Sequence, residues 1–250
     1  KGGLFNLYGN LTSLDNYIST SNGEYKYRNM FENTNVYDCS KLNTGIKTIK
    51  SANALSYMFY CCEYLVKVPN LPATTLAEYC YDNMFSDCRS LTTVPNLPAT
   101  KVRAYCYQYM FSSCTSLTTV PSNLLPANTL VGSCYKSMFK GCTGLTTVPN
   151  LPATTLVEYC YSDMFNGCTS LVETPPGWYL PAQTTESNSC SSMFAYCSKL
   201  QKMAVSYSGT ITASHWQYFL SSVSKTGTFY YSKNQTKENI QSIVPSGWTL

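Results

Sequence analysis

The stretch Met84-Phe85-Ser86-Asp87-Cys88-Arg89-Ser90-Leu91 carries the phrase Met-Phe-x-x-Cys-x-x-Leu, and the chain repeats it. It stands at Met58-Phe59…Cys62…Leu65, Met84-Phe85…Cys88…Leu91, Met110-Phe111…Cys114…Leu117, Met138-Phe139…Cys142…Leu145, Met164-Phe165…Cys168…Leu171 and Met193-Phe194…Cys197…Leu200. The steps from Cys to Cys are 26, 26, 28, 26 and 29 residues. A fixed period of this size is the signature of a solenoid, in which each unit buries its apolar face only against its neighbours. The 250 residues therefore read as one continuous core rather than as separate globular domains.

Residues 88–113 serve as the type unit. Leu91-Thr92-Thr93-Val94 is short and β-branched with apolar ends, and predicts one strand per repeat. Pro95 and Pro98 cannot donate to a ladder, so the strand must stop there. Leu97 and Val102 return apolar side chains to the core. Val102, Cys106 and Met110 then step by four, with Phe111 and Cys114 extending that face, which predicts a short helix or helical turns over 103–112. Parallel stacking turns Leu, Val, Cys, Met and Phe into ladders.

Composition narrows the function. Charged residues are only 12% of the chain, against roughly 25% in soluble domains, so the surface must be Ser, Thr, Asn and Tyr. No run of Lys or Arg forms the basic stripe that nucleic acid requires. No stretch approaches the ~18 consecutive apolar residues of a membrane span, so membrane insertion in this segment is not expected. The chain begins Lys1-Gly2-Gly3 and reads as a mature or truncated product.

Thirteen Cys fall into columns. Cys39, Cys62, Cys88, Cys114, Cys142, Cys168 and Cys197 form one, and Cys80, Cys106, Cys134, Cys160 and Cys190, just before the Met, form a second; Cys61 is left over. Both columns hold odd numbers, so neither can pair off completely within itself. Stacked rungs lie ~4.8 Å apart, a spacing that leaves bridges between neighbours open. Zinc wants close sets such as C-x₂-C, whereas this chain offers C-x₇-C and a single His. The reading preferred is buried free thiols acting as small apolar core residues, with no metal and no cofactor.

Catalysis needs convergent polar groups. The one His, His215, sits beside Trp216 in the C-terminal segment, and no nucleophile elbow, phosphate loop or dinucleotide fingerprint appears. The chain is not expected to be an enzyme. Glu78 and Glu158 share a repeat position, and Arg103 is placed in the same column between them, before Val131-Gly132-Ser133, as an exposed stripe of alternating charge. Tyr81, Tyr107, Tyr135 and Tyr161 follow the second Cys, while Tyr79, Tyr105 and Tyr159 precede it. Residues flanking an inward Cys should point away from the core. Such rows could stack sugar rings or form the centre of a protein interface. The plainer reading is Tyr stacked on Tyr from rung to rung, and it is preferred. Tyr79, Tyr105, Tyr159, Glu78, Arg103 and Glu158 are the candidate binding residues; Cys62, Cys88, Cys114, Cys142, Cys168 and Cys197 are the structural ladder.

The phrase resembles the bacterial BspA-like leucine-rich repeat, in which Ala-Phe-x-x-Cys-x-x-Leu leads into a short strand. This chain departs from it by carrying Met before Phe and by running to about 26 residues where the family more often has 23. It is most similar to a long variant, Leu-Pro-Ala-Thr-Thr-Leu…Cys-Tyr-x-x-Met-Phe-x-x-Cys, of gut-anaerobe surface proteins and their phages, read here from Leu71 to Cys88 and from Leu151 to Cys168. The resemblance covers about 35–200, with a divergent first repeat near Asn35 that places Val36 in the Phe position. It implies a leucine-rich-repeat solenoid with one short parallel strand per repeat, short helical or irregular returns, and caps at 1–34 and 201–250. In the second cap, Trp216, Phe219 and Val223 fit a helix face, Phe229 to Tyr231 a strand, and Ile211 adds an apolar side chain. The function implied is a recognition or adhesion module outside the cell, on the cell surface or on a virion such as a phage tail, binding a cell-surface protein or glycan. The rival expectation is a structural spacer or decoration domain of a fibre or capsid, within a larger assembly.

Overall fold

The computed structural model describes residues 3–10, 27–175, 178, 183–184, 187–205, 215–231 and 236–250; Ile211, expected in the C-terminal cap, lies outside them. Where a helix is expected, the backbone is instead a run of tight turns. Within 79–88, the N–H groups of Asp82, Met84, Ser86 and Cys88 donate three residues back, to the carbonyls of Tyr79, Tyr81, Asn83 and Phe85, at 3.1–3.2 Å. The alternate N–H groups, of Tyr79, Tyr81, Asn83, Phe85 and Asp87, donate to Ala104, Cys106, Gln108, Met110 and Ser112 of the next unit at 2.8–3.1 Å. Every second residue is thus tied to its own turn and every other one to the next rung, so both donor sets are satisfied.

The step of four is real, but its origin is not a helix. An α-helix turns every 3.6 residues and keeps every φ negative. Here every fourth residue is left-handed: φ is 54° at Tyr79, 53° at Asn83 and 60° at Asp87. Among the described residues, all twenty non-glycine residues of positive φ lie on such rungs. The conformation costs an L-residue about 1–2 kcal/mol, and Asn, Asp and Gly, which accept it best, recur at these positions (Asn53, Asn83, Asp87, Gly141, Asp163, Gly167, Asn188).

Rungs of this kind occupy 27–34, 53–62, 79–88, 105–114, 133–142, 159–168, 188–197 and 215–223, and successive rungs are joined by the same bonds. The ladder therefore runs past residues 34 and 200. Met30-Phe31 is a further copy of the Met-Phe pair, with Thr34 in the Cys place: the Phe31 ring stacks on Phe59 at 5.3 Å, and the Cys62 thiol meets the Phe31 carbonyl. Val36 is consequently not in the Phe position; it opens strand β3. Cys39 is likewise outside the first Cys column, its thiol meeting the Lys67 carbonyl instead. At the other end, Trp216, Phe219 and Val223 belong to a turn rung rather than a helix.

Strands are few. β1 (Phe5–Asn6) pairs with β3 (Val36–Asp38), and β2 (Gly9–Asn10) with β4 (Leu42–Asn43). β5 (Thr155–Leu156) pairs with β6 (Gln183–Thr184), continuing a line of single parallel bridges Thr48–Thr75–Lys101–Thr129. β7 (Lys202–Val205), β8 (Gly227–Tyr231) and β9 (Trp248–Thr249) form a three-stranded parallel sheet, which includes the expected strand over Phe229 to Tyr231. Leu91–Val94, expected as a strand, is irregular. The prolines explain the difference: Val94-Pro95 and Leu97-Pro98 sit where successive segments would exchange N–H bonds, whereas β3, β7 and β8 contain none. α1 (Lys237–Gln241) stands between β8 and β9, with Ile240, Ile243, Val244 and Trp248 buried. Among the described residues no helix is long and apolar enough to cross a membrane.

The core consists of stacked columns. Phe31, Phe59, Phe85, Phe111, Phe139, Phe165 and Phe194 stack at 5.2–5.8 Å with rings within 19° of parallel. Tyr81, Tyr107, Tyr135 and Tyr161 stack at 5.7–6.0 Å and are buried, against the expectation that they point away. Two of every four residues on a rung face inward, so Cys80 and Tyr81 enter the core together. Cys190 closes this Tyr column rather than the Cys column. It lies three residues before Met193, not four, and Ser189 takes the Cys place.

Candidate functional site on the outward face of the rungs

The six ladder cysteines share one job. Each thiol meets the carbonyl of the Phe one rung back: Cys62 to Phe31 at 2.9 Å, Cys88 to Phe59 at 3.1 Å, Cys114 to Phe85 at 3.2 Å, Cys142 to Phe111 at 3.0 Å, Cys168 to Phe139 at 3.2 Å and Cys197 to Phe165 at 3.1 Å. The Thr34 hydroxyl makes the equivalent local bond to Phe31 at 2.6 Å. All thirteen cysteines are free thiols. Burial pushes Cys80, Cys134 and Cys142 up to about 12, so they stay protonated and unreactive at neutral pH. Among the described residues no three His, Cys, Asp or Glu side chains gather as a metal site.

The outward positions form straight columns because the ladder fixes their backbone. Tyr79 and Tyr105 lie on adjacent rungs with rings 4.4 Å apart and 5° from parallel, so each covers a face of the other. Burial, and then the neighbouring Tyr105 hydroxyl, raise the Tyr79 phenol above its ordinary value. Tyr159 is separated from this pair by Ser133. The Lys136 ammonium lies 5.0 Å over its ring, and the Asn188 amide donates to its hydroxyl at 3.4 Å. Ser133 thus interrupts the aromatic row, and the predicted residues fall into two groups.

Glu78, Arg103 and Glu158 are exposed. They do not form one column. The Glu78 carbonyl accepts Asn53, the Glu158 carbonyl accepts Ser133, and the residue that occupies this place between them is Ala104, which accepts Tyr79. Arg103 is one position earlier, in line with Ala77, Val131 and Val157. The offset nevertheless brings Glu78 and Arg103 into one open groove of about 390 Å³, with Lys50 at its rim and Ile49, Leu76 and Ala77 beneath. Sequence reasoning missed Ile49 and Lys50, which precede the first full copy of the phrase. A second aromatic group was also missed: Tyr57 and Tyr60 meet edge to face at 5.4 Å, with the Arg28 guanidinium 4.8 Å over the Tyr57 ring. The spacing of Tyr57 and Tyr109, each one residue before a Met, was the available signal.

One buried acid lies behind this face. Asp82 is 7% exposed, and desolvation raises its carboxyl to about 6, opposed by the Asn83 amide at 2.9 Å and by Arg28. The ion pairs here are solvated: Arg89 meets Glu63 of the preceding unit and Asp87 of its own at 3.5 Å each, and Lys140 meets Asp163 of the next rung at 3.6 Å. Exposed pairs of this kind contribute little to stability.

A leucine-rich cell surface protein of Faecalibacterium prausnitzii aligns over 86% of this chain and 71% of its own, at 17% identity and a TM-score of 0.40, a likeness too distant to inform on function. No curated protein matches the chain. The model of the BspA-type leucine-rich repeat region, in six copies, matches residues 25–172 and again 125–243, which spans the turn rungs from first to last. The chain belongs to the BspA-type leucine-rich repeat family.

Proposed function

We propose that this chain is a non-enzymatic recognition module displayed outside the cell, on a cell surface or a virion, and that it binds a cell-surface protein or glycan through the outward face of its rungs. The rungs form a solenoid, and the described terminal segments cap its strand side, where β1 pairs with β3 and β8 with β7 and β9. The observation that carries the reading is the pre-organised face. Tyr79 and Glu78 are tied to neighbouring rungs through Ala104 and Asn53, while Tyr105 and Arg103 accept the turn bonds of Gln108 and Cys106 on their own rung. A surface already fixed before binding loses little freedom when a partner arrives. The groove between Lys50, Glu78 and Arg103 adds apolar floor and charges of both signs. The cysteines support the non-enzymatic part, since their thiols are spent on backbone carbonyls.

The stacked Tyr79–Tyr105 pair directs the mode of contact. Its ring faces are partly used, so hydroxyls and ring edges, rather than open faces, meet the partner. The test is binding of the folded chain to a panel of gut-bacterial cells, mucin and glycans. Saturable binding to one class, lowered at least about tenfold by Arg103→Glu or Tyr105→Ala, is the expected result. The second reading is a structural spacer, favoured by the near-identity of the inward columns. Absence of binding across the panel selects it.

A further inference from the structure

We propose that the chain associates with a second copy of itself head to tail, the first rung of one copy adding to the last rung of another. The bonds that join rungs inside the chain define the register. From each rung, the N–H at the Phe position reaches the carbonyl at the next Met position, as Phe59 to Met84 at 3.0 Å; two residues on, Cys61 reaches Ser86 at 2.9 Å. The last such step runs from Phe194 to Phe219 and from Tyr196 to Ser221, at 3.0 and 2.7 Å.

Beyond it the pattern has no partner among the described residues. On the rung at 215–223 the corresponding donors are the N–H groups of Leu220 and Ser222, preceded by Tyr218, and none of the three donates to another described residue. The backbone keeps the rung conformation all the same, with φ of 57° at both Tyr218 and Ser222. At the other end, on the rung at 27–34, the corresponding acceptors are the carbonyls of Met30 and Glu32, and neither accepts a bond from a described residue. The head therefore offers acceptors in the register in which the tail offers donors: Leu220 N–H to Met30 carbonyl, and Ser222 N–H to Glu32 carbonyl.

The side chains agree. Met58, Met84, Met110, Met138, Met164 and Met193 are fully buried, whereas Met30, in the same column, is 49% exposed. A methionine built like its buried counterparts stands at the head covered from one side only, by the rung of Met58. The tail row opens into a groove of about 760 Å³, walled by Trp216 through Lys225 on one side and Ser242 through Gly247 on the other. β8, α1 and β9 extend the array on its strand side and help bury Leu220, but give this row of N–H groups no backbone acceptor among the described residues. An unpaired edge of this kind invites pairing with another chain. A contact between different surfaces does not close on itself, so it yields an open linear series.

Sedimentation velocity of the full 250-residue chain over a concentration series tests this. A mass that climbs continuously with concentration is expected. Met30→Asp places a carboxylate on the head, and Ser246→Trp fills the tail groove from an exposed position. Each variant alone should stay monomeric at concentrations where the parent associates, with association at least about tenfold weaker. An equal mixture of the two should form one-to-one dimers and nothing larger, since each supplies the end the other has lost. Unchanged circular dichroism and thermal unfolding confirm that both fold. A parent that remains monomeric up to about 1 mM, or variants that associate like the parent, would overturn the proposal. So would a blocked pair that fails to complement.

Discussion

The inward and outward sides of one rung are built by different rules. Inward, Met84, Phe85 and Cys88 are fully buried, and the same three residue types recur in the next rungs because each must fit the column above and below. Outward, Tyr79, Asn83 and Asp87 share a left-handed backbone rather than a shape, and their counterparts range over Tyr, Ser, Asn, Asp, Cys and Gly. Volume fixes the first set; backbone conformation limits the second and leaves its chemistry open. Side chains can therefore change on this face without disturbing the stack, which is what a recognition surface needs.

The sharpest way to break the contrast is from within. Phe111→Ala removes a ring that stacks on both Phe85 and Phe139 at 5.7 Å. It should cost about 3–5 kcal/mol in denaturant unfolding, the loss typical of a buried Phe. An outward change such as Asp87→Asn, which keeps a residue suited to the left-handed backbone and loses only a solvated ion pair, should stay within about 0.5 kcal/mol. Equal losses at the two positions would dissolve the distinction.

Asp82 is the exception that sharpens it, an acid on the inner side of the boundary. Its folded pKa of about 6 lies above the ordinary carboxylate value, so the folded state holds the proton more tightly. Its contribution is fully present below about pH 4 and is lost as pH rises through about 6. Asp82→Asn should therefore match the parent near pH 4 and exceed it by up to about 3 kcal/mol at pH 8. Unfolding curves at both pH values measure this. A parent whose stability does not fall between them contradicts the burial of that carboxyl.

Smaller effects test the thiol ladder and the left-handed column. Cys114→Ala loses the contact to the Phe85 carbonyl at 3.2 Å, whereas Cys114→Ser keeps a donor there. Alanine should be the worse by about 1 kcal/mol, the net worth of one hydrogen bond. Ser113, with φ of 59°, occupies the place where Gly141 and Gly167 stand on later rungs. Ser113→Gly should change stability by no more than about 0.5 kcal/mol, since relief of strain offsets lost chain stiffness, while Ser113→Val should lose more than about 1 kcal/mol. Thermal melts of the two variants side by side distinguish conformation from composition.

Much of the array was legible before any coordinates. The repeat of Met-Phe-x-x-Cys announced stacked units, and the prolines at 95 and 98 marked where pairing must fail. The odd Cys counts do not survive, since without Cys39 and Cys190 the two columns hold six and four. What misled was the step of four through Val102, Cys106 and Met110. A stripe along a helix mixes steps of three and four because the turn is 3.6 residues. An unbroken step of four, with Asn, Asp, Ser and Gly at fixed places between, describes a chain of turns. The one-residue errors at Cys190 and Arg103, and the missed Thr34, have a common cause. The columns were aligned on residue type, whereas the rungs are aligned by backbone bonds such as Tyr161 to Ser189, Tyr79 to Ala104 and Phe31 to Met58.

The sequence by itself determined the period, the inward residue types and the low charge of the surface, because each follows from composition at a fixed spacing. Tertiary structure alone decided the rest. Whether Tyr81 points in or out depends on the handedness of Tyr79 and Asn83, and that handedness is held by N–H groups reaching carbonyls some 25 residues away in the next rung. It is also the stacking, and no local signal, that leaves Met30 and Leu220 at opposite ends of one ladder with complementary groups that find no backbone partner among the described residues.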